Sequence, residues 1–376
     1  MKVYQIVTFI IVITIVYSAA HYYLYLRSLQ AFSPSNENRK FFFIGLFSME
    51  LFFILGMLLE HSFSSVFSEW LYKIGTTWLA FLLYFFIAIV AIDIIRALNH
   101  FIHFIPEFSP KQSLFLGLSV CVAVCITVFY GHLNALDVQV KQIPISIHKQ
   151  VTGNKNVKIL MASDLHFGAI IGEKWERKFL QIVEQQKPDL VLLCGDFVDG
   201  EIAPVLRQRL GKHIQEISTP LGMYAITGNH EYIGGIDKAL TYLKSINIRV
   251  LIDEVVTLPN GIQLVGRNDV ASRHQRPLDS LMQGIDFTKP IIVMNHQPYN
   301  LQEVVDAKAD LQLSGHTHNG QMWPFNYITK AIFELSWGYL KKGDTQFYVS
   351  SGYGSWGPTV RIGNKPEVVV FNVTCD

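Results

Sequence analysis

The sequence predicts a chain in two parts, an α-helical membrane domain with four spans followed by an α/β domain. Four long apolar runs fall within the first 135 of its 376 residues. Beyond residue 150, short apolar runs alternate with helical stretches instead. Charged residues make up only 16% of the chain, against about 25% in an ordinary soluble domain.

The four apolar runs lie near residues 3–24, 41–59, 74–95 and 114–130. Each approaches the length of about 20 apolar residues that crosses a bilayer as a helix. A cleaved signal peptide is the alternative for the first run. That run leads into Tyr22, Tyr23 and Tyr25, which are typical of an interfacial aromatic belt and not of a small-residue cleavage site. We therefore interpret residues 1–135 as a four-helix transmembrane domain of a multi-pass cell-membrane protein.

Charged residues within the predicted spans allow two interpretations. Glu50 lies inside the second span, where a charge is costly and often functional, but it could equally face a neighbouring helix as a neutral acid. Asp93 and Arg96 close the third span, where we expect their side chains to reach the membrane interface.

Basic residues beside the spans predict an orientation. Those on one side are Arg27, Arg39, Lys40, Arg96 and Lys111, and those on the other side are Lys2, Lys73, Lys141 and Lys149. Because basic residues are enriched on the cytoplasmic side, this imbalance favours an external N-terminus. With four spans, the C-terminal domain would then be extracytoplasmic as well.

The overall charge and the cysteines give no sign of a nucleic-acid partner or of a cysteine-based site. A net charge of +1 gives no reason to expect a nucleic-acid partner. The four cysteines form no CxxC pair, and we interpret them as structural thiols. The sequence does not indicate an oligomeric state.

We expect residues 136–150 to form a linker and residues 151–376 to form the second domain. Its short apolar runs, bounded by turn residues, predict buried strands at 157–162, 190–194, 223–226, 262–265, 291–294, 311–313, 346–349 and 368–373. Helical stretches fall between several of these runs, for example at 173–186 and 236–245. The alternation predicts an α/β domain in which helices cover sheets.

Metal-binding side chains follow five of the predicted strands. In chain order the motifs are Asp164-Leu165-His166, Gly195-Asp196-Phe197-Val198-Asp199-Gly200, Gly228-Asn229-His230-Glu231, Asn295-His296 and Gly315-His316-Thr317-His318. Ligands of open α/β sheets bind at the carboxyl ends of the strands, so we expect these loops to converge. In both D-x-H and H-x-H, side chains two residues apart on extended backbone point the same way. Imidazole, carboxylate and amide ligands without thiolate suit Mn, Fe, Zn, Ni or Co.

These five ordered motifs resemble those of the calcineurin-like metallophosphoesterase superfamily, over roughly residues 155–375, and the nearest resemblance is to its membrane-associated or exported bacterial branch. The resemblance implies a four-layer sandwich of two mixed sheets flanked by helices, with two divalent metal ions. One ion would be held by Asp164, His166 and His318, the other by Asn229, His296 and His316, with Asp196 bridging both. His230 would be the catalytic residue, facing the substrate phosphate without binding metal.

Several neighbouring residues have two interpretations each. Asp199 and Glu231 could orient histidines or serve only in turns. Arg267 and Arg361 could contact a phosphate or lipid head group, or could be ordinary salt-bridged arginines. The glycine- and aromatic-rich stretch at 350–358 could line the substrate cleft or be a plain loop.

The predicted function is hydrolysis of a phosphodiester or pyrophosphate bond in a membrane lipid or envelope precursor, because a tethered site meets lipid head groups at high effective concentration. One alternative is a phosphomonoesterase or nucleotidase that is merely anchored to the membrane. Another is an inactive membrane sensor or scaffold, which the intact set of ligands opposes. A transport or partner-binding role of the spans has only Glu50 in its favour.

Overall fold

The structure is a computed structural model that describes residues 3–106 and 108–376. It divides into two compact units, Met1–Leu133 and Asn134–Asp376. The first unit is helical, and the second contains both helices and two β-sheets.

The helices of the first unit are α1 (Val3–Phe32), α2 (Asn36–Phe63), α3 (Val66–Ile102) and α4 (Pro110–Leu136). Among the described residues, α2, α3 and α4 are long and apolar enough to cross a membrane. Glycines allow α2 and α3 to approach closely. A Cβ on Gly56 would lie 2.5 Å from the backbone nitrogen of Tyr72, and one on Gly75 would lie 2.4 Å from Cα of Phe53. Close backbone contact at small residues is a common way to pack helices in a bilayer.

The predicted first span, residues 3–24, falls on α1. The side chains of residues 3–10 and of Ile13 lie outside the described part of the chain. This span therefore stays a prediction, whereas the other three predicted spans coincide with α2, α3 and α4.

Polar contacts between helices account for the charged residues of the spans. Glu50 of α2 accepts a hydrogen bond of 2.5 Å from Ser18 of α1, so it faces a neighbouring helix. Asp93 lies well inside α3, because that helix continues to Ile102. The Asp93 carboxylate is 2.6 Å from the guanidinium of Arg27. Asp93 therefore pairs with α1, and the expected extension of Asp93 and Arg96 to the membrane interface stays a prediction.

Within the described residues, the strands of the second unit are β1 (Gln139–Ile147), β2 (Asn156–Ala162), β3 (Leu190–Cys194), β4 (Met223–Ile226), β5 (Arg249–Leu251), β6 (Glu254–Thr257), β7 (Gln263–Gly266), β8 (Ile291–Met294), β9 (Leu311–Ser314), β10 (Gly338–Lys342), β11 (Thr345–Val349) and β12 (Glu367–Cys375). They form two six-stranded sheets, ordered β1-β12-β2-β3-β4-β5 and β10-β11-β9-β8-β7-β6. Both sheets are mixed, with antiparallel pairs β12–β2, β10–β11 and β6–β7.

Strand β1 lies within residues 136–150, the segment expected to be a linker. It pairs in parallel with β12 along its whole length, from Gln139 opposite Glu367 to Ile147 opposite Cys375. Its exposed and half-buried residues alternate because it is an edge strand with one face toward solvent. The segment therefore extends the first sheet and is not an irregular connection.

The helices of the second unit are α5 (Glu173–Gln186), α6 (Ile202–Arg207), α7 (Asn229–Ile233), α8 (Ile236–Ser245), α9 (Leu278–Leu281), α10 (Leu301–Asp306) and α11 (Phe325–Ile332). The inner core lies between the sheets, where Leu192 of β3 shares a cluster with Met294 of β8. Helices α5 and α8 cover the outer face of the first sheet. Helices α9 and α10 cover the outer face of the second. The layers are thus helix, sheet, sheet, helix, as the resemblance implied.

Five parallel strands position the functional loops. Strands β2, β3 and β4 run parallel in the first sheet, and β8 and β9 run parallel in the second. Each of the five predicted motifs follows the carboxyl end of one of these strands within one or two residues. The fold therefore brings all five loops to one edge of the sandwich.

Candidate metal centre

Three groups of side chains at this edge have the composition and spacing of metal sites. One of them, His166, Asp199 and His230, shares His166 with another group, and the other two contain the predicted ligands. Of these two, the first group is Asp164, His166 and His318, and the second is Asp196, His296 and His316. Within each group the potential ligand atoms lie within 4.8 Å of one another. The structure thus brings these six sequence-predicted ligands together in two neighbouring groups.

The first group fits a single ion. The Nε2 atoms of His166 and His318 are 3.1 Å apart, and Nε2 of His318 is 3.4 Å from Oδ1 of Asp164. Ligand atoms bonded to one ion at about 2.1 Å lie about 3.0 to 3.4 Å apart when they are adjacent around it. In addition, Oδ2 of Asp164 is buried without a hydrogen-bond partner. The donor set and its spacing therefore suit a divalent cation.

The second group has the same character. Nε2 of His296 is 3.1 Å from Oδ2 of Asp196, yet it has no aligned hydrogen-bond partner although the side chain is fully buried. Nδ1 of His296 contacts the carbonyl oxygen of Cys194 at 2.8 Å, which fixes the ring. Asn229 belongs to this group, because its Oδ1 is 2.9 Å from Nδ1 of His316. An orphaned imidazole nitrogen aimed at neighbouring oxygens is an arrangement that a cation satisfies.

Asp196 contacts both groups. Its Oδ2 atom is 3.1 Å from Nε2 of His296 in the second group and 3.9 Å from Nε2 of His166 in the first. Its Oδ1 atom accepts a hydrogen bond of 2.9 Å from the backbone N–H of His230. One oxygen of this carboxylate therefore lies between the two groups while the other anchors it to the loop after β4.

The backbone of most ligands is left-handed. The φ angles of Asp164, His166, Asp196, His316 and His318 are 54°, 49°, 52°, 72° and 47°. Such values are uncommon for residues other than glycine and cost about 1 to 2 kcal/mol each. The expectation that D-x-H and H-x-H present their side chains from extended backbone is therefore wrong. The pairs reach the cavity through left-handed turns that begin where the strands end.

Glycines next to the ligands permit close approach, as the motifs indicated. A Cβ on Gly228 would lie 2.2 Å from Oδ1 of Asp196. A Cβ on Gly315 would lie 2.4 Å from Oδ2 of Asp164. No side chain fits in either space, so these positions require glycine for steric reasons.

Burial and mutual charge set the electrostatics of the second group. Burial alone would raise the pKa of Asp196, but the imidazoles of His296 and His230 outweigh burial and hold this pKa well below its usual range. Burial would lower the pKa of His296, yet the Asp196 carboxylate raises it well above the usual value. Burial and then His296 lower the pKa of His316 to about 3. The carboxylate thus stays ionised in the interior, as a metal ligand must.

His230 stands beside the two groups and is more open than they are. Its side chain is 21% exposed, whereas those of His166 and His296 are 1% and 0% exposed. Its Nδ1 atom is 3.3 Å from Oδ1 of Asp199, and the same oxygen is 3.1 Å from Nδ1 of His166. Burial would lower the pKa of His230, but Asp196 and then Asp199 raise it to about 9. Asp199 therefore orients both rings, the first of the two roles that the sequence left open.

Glu231 does not contact a histidine but holds the loops together. Its buried carboxylate accepts hydrogen bonds from the backbone N–H groups of Gly228, Asp196 and Val198 at 2.7, 3.1 and 3.1 Å. Burial and then the charge of Asp196 raise its pKa to about 7. This side chain joins the loop after β3 to the loop after β4.

Both candidate phosphate-binding arginines are buried and engaged elsewhere. Arg361 is 0% exposed and donates hydrogen bonds to the carbonyl oxygens of Gly352 and Gly354. One of its nitrogens is also 3.3 Å from Nδ1 of His318. Arg267 forms an ion pair of 2.9 Å with Glu303. Neither is therefore placed to contact substrate. Arg267 is salt-bridged, as one of the two interpretations held, whereas Arg361 fits neither because its hydrogen bonds go to backbone carbonyl groups.

A cavity of about 400 Å³ opens onto the two groups. Its lining is formed by Asp196, Asn229, His230, His316, Thr317, His318, Gly320, Phe325, Ile328, Thr329, Phe333 and Trp356. The lining combines candidate ligands and His230 with three residues of α11, namely Phe325, Ile328 and Thr329. Trp356 shows that the 350–358 stretch does contribute to the cleft. No local sequence pattern indicated Phe325 or Ile328 as cavity residues, because their position depends on how α11 packs.

Comparison with known proteins identifies the family. The calcineurin-like phosphoesterase model matches residues 157–320. An uncharacterized metallophosphoesterase of Aquifex aeolicus is 32% identical, over 65% of this chain and 95% of that protein. One of Campylobacter jejuni is 27% identical over 97% and 98% of the two chains. A bovine transmembrane protein with a metallophosphoesterase domain is 29% identical, over 69% of this chain and 62% of the bovine protein. The chain therefore belongs to the calcineurin-like phosphoesterase family and is a metal-dependent phosphoesterase.

Proposed function

We propose that this protein is a membrane-anchored hydrolase that cleaves a phosphodiester or pyrophosphate bond through a water activated by two metals, on a lipid or cell-envelope precursor. One observation carries the hydrolytic part of the proposal. Two groups of mostly buried carboxylate and imidazole side chains lie on either side of the Asp196 carboxylate, and several of them line an open cavity.

The ligand assignment is part of the proposal. Asp164, His166 and His318 would hold one divalent ion, Asn229, His296 and His316 would hold the other, and Asp196 would serve both. A pair of ions of the Mn, Fe, Zn, Ni or Co type supplies neutralisation of the phosphoryl oxygens and a water of lowered pKa. The absence of thiolate among the described ligands of these groups fits such borderline or hard ions.

The side chains of the protein supply position and a proton. Asp196 is fixed by the backbone N–H of His230, so its shared oxygen keeps one place between the two groups. His230 lines the cavity, and its Nδ1 atom contacts the carboxylate of Asp199. Its Nε2 atom is therefore the one available to stabilise developing charge or protonate the leaving oxygen.

The membrane part of the proposal keeps four spans, with α1 as the first, within residues 1–135. The catalytic domain extends to residue 376 and takes in β1 in addition to the residues from 151 onward. The charge distribution favours an extracytoplasmic catalytic domain. Tethering a hydrolase to a bilayer raises the effective concentration of lipid-linked phosphoesters, which supports that substrate class.

The test uses the full chain reconstituted in lipid nanodiscs and loaded with Mn²⁺. Hydrolysis of bis-p-nitrophenyl phosphate, p-nitrophenyl phosphate and a lipid phosphodiester is compared with that of an Asp196→Asn variant and a control, Asp237→Asn, on the exposed side of α8. We expect the diesters to be preferred and only Asp196→Asn to be inactive. Better cleavage of the monoester would favour an anchored phosphomonoesterase. No cleavage of any substrate with both ions bound would favour the scaffold alternative.

A further inference from the structure

Helix α11 turns its apolar residues toward solvent. The side chains of Tyr327, Ile328 and Ile332 are 61%, 54% and 57% exposed, and no residue of this fully described helix is buried. A surface helix ordinarily buries its apolar side against the core. The arrangement here is the reverse, so the apolar side of α11 is available to something outside the domain.

The apolar residues of α11 form one continuous face. With about 3.6 residues per turn, those in order around the axis are Tyr327, Ala331, Ile328, Ile332 and Phe325, which cover an arc of roughly 160°. Thr329, Asn326 and Lys330 occupy the remaining side. Lys330 is exposed there, next to the apolar arc. An amphipathic helix with Tyr and Ile on one side and Lys on the other has the composition of helices that lie in a membrane interface.

The position of α11 is tied to the metal centre. A Cβ on Gly320 would lie 2.3 Å from the backbone nitrogen of Asn326, so the start of the helix packs directly on the turn that follows His318. Phe325 and Ile328 line the catalytic cavity from this helix. The exposed face therefore forms part of the rim of the cavity and is not a remote surface.

Two tryptophans extend this rim. Trp323, just before α11, is 43% exposed, and Trp356, in the lining of the cavity, is 48% exposed. The amide of Gln321 donates to the carbonyl oxygen of Trp356 at 3.1 Å, which fixes that loop beside the helix. Tryptophan and tyrosine are enriched at membrane–water interfaces, where one end of the ring system is apolar and the other is wet.

We propose that the exposed face of α11, with Trp323 and Trp356, lies in the interfacial layer of a lipid bilayer and places the mouth of the catalytic cavity at the level of the lipid head groups. The occupant is a bilayer because the rim combines aromatic residues with a flanking lysine, and because the same chain carries helices able to span a membrane. That the contact serves a lipid-linked substrate rests on the proposed function. The contact itself does not depend on what the substrate is.

The first test measures membrane contact without any substrate. The full chain, with Cys121 and Cys125 replaced by serine, carries a nitrobenzoxadiazole label on Tyr327→Cys. It is reconstituted in bilayers of phosphatidylglycerol and brominated phosphatidylcholine. The control label is on Phe287→Cys, because Phe287 is also exposed but precedes β8, at the strand end opposite the cavity. We expect bromine to quench the label at 327 and not the one at 287. If the label at 327 is quenched no more strongly than the label at 287, the proposal is overturned. The same result is expected if a second copy of the chain, and not the bilayer, covers this face.

The second test measures what the contact does. Tyr327 and Ile332 are outside the lining of the cavity, so the Tyr327→Ser/Ile332→Ser double variant leaves the catalytic groups in place. We expect hydrolysis of phosphatidyl-p-nitrophenol in the bilayer to fall about tenfold and hydrolysis of soluble bis-p-nitrophenyl phosphate to stay unchanged. Phe287→Ser should change neither. An equal loss of activity on both substrates, or no loss of activity on the lipid, would show that the exposed face of α11 does not position the cavity for lipid substrates.

The two proposals fail in different ways. If the label at 327 is quenched and the wild-type chain cleaves the soluble diester but no lipid, the membrane contact stands and the lipid substrate falls. If the wild-type chain cleaves the lipid and neither label is quenched, the proposed lipid substrate is supported and the proposed membrane contact of α11 is refuted.

Discussion

Replacing Gly228 with alanine should displace the carboxylate of Asp196, which lies between the two groups of candidate ligands. The added Cβ would lie 2.2 Å from Oδ1 and 2.6 Å from the backbone nitrogen of Asp196. Ordinary contact begins at 3.4 Å, so the carboxylate and its loop must move by about 1 Å. Displacement of a catalytic group by about 1 Å lowers rates about 100-fold, which equals about 2.7 kcal/mol of transition-state stabilisation.

Gly172 provides a matched control for this substitution. Both glycines precede the first residue of a helix and have similar backbone angles, with φ of −116° at Gly228 and −109° at Gly172. A Cβ on Gly172 would also meet an atom at 2.6 Å, but that atom is the end of the flexible Gln208 side chain. Gln208 can turn away, so Gly172→Ala should keep its activity.

The assay is kcat/KM on bis-p-nitrophenyl phosphate for both variants in nanodiscs, with bound metal measured by mass spectrometry and stability by thermal unfolding. We expect a loss of about 100-fold for Gly228→Ala, with reduced metal content, and a change within about twofold for Gly172→Ala. Equal activity and metal content in the two variants would refute the assigned position of Asp196. A large fall in Tm for Gly228→Ala alone would show that the fold, and not the site, had been perturbed.

Three further substitutions separate the roles of the site residues. Asp196→Ala should abolish activity and leave fewer than two ions per chain by mass spectrometry, and an unchanged metal content would contradict a bridging role. His230→Ala should keep both ions but lose on the order of 10² to 10⁴ in kcat, and metal loss there would reassign it as a ligand. Asp199→Asn should weaken metal affinity about 10- to 100-fold in a chelator titration, because it releases the ring of His166. Lys187→Ala, outside the site, should match the wild type.

The core strands could be predicted because a strand that is buried on both faces is a continuous run of apolar residues. An apolar run of only four or five residues between turn signals is too short for a helix and is typical of a buried strand. The runs at 190–194, 223–226 and 291–294 coincide with β3, β4 and β8. Strand β1 carried no such signal, since an edge strand alternates polar and apolar residues and contains Pro144. Its pairing with β12 is a long-range contact between residues more than 200 positions apart, which no local pattern encodes.

The ligands could be predicted for a related reason. Each follows a buried strand directly, and parallel strands deliver their carboxyl ends to one edge, so sequence position alone brings the side chains together. The destinations of Arg361 and Arg267 could not be predicted, because a long cationic side chain is equally compatible with a phosphate or with buried carbonyl groups. The contribution of α11 to the lining of the cavity could not be predicted from the sequence either. The location of this helix follows from the close packing of Gly320 against Asn326, which is a property of the assembled fold.

The left-handed backbone of the ligands explains why the loops matter as much as the side chains. A residue in this conformation is stable only when its surroundings hold it there. Here the ligand loops bond to one another: the N–H of Asp164 donates to the carbonyl oxygen of Gly195 at 3.0 Å, and the N–H of His166 donates to that of Asp196 at 3.0 Å. The N–H of His316 donates to Oδ1 of Asp164 at 2.9 Å, which joins the loops of the two sheets. The convergence of ligands is therefore built into the backbone hydrogen bonds between loops, so substitutions that disturb those loops should lower metal affinity without removing a ligand.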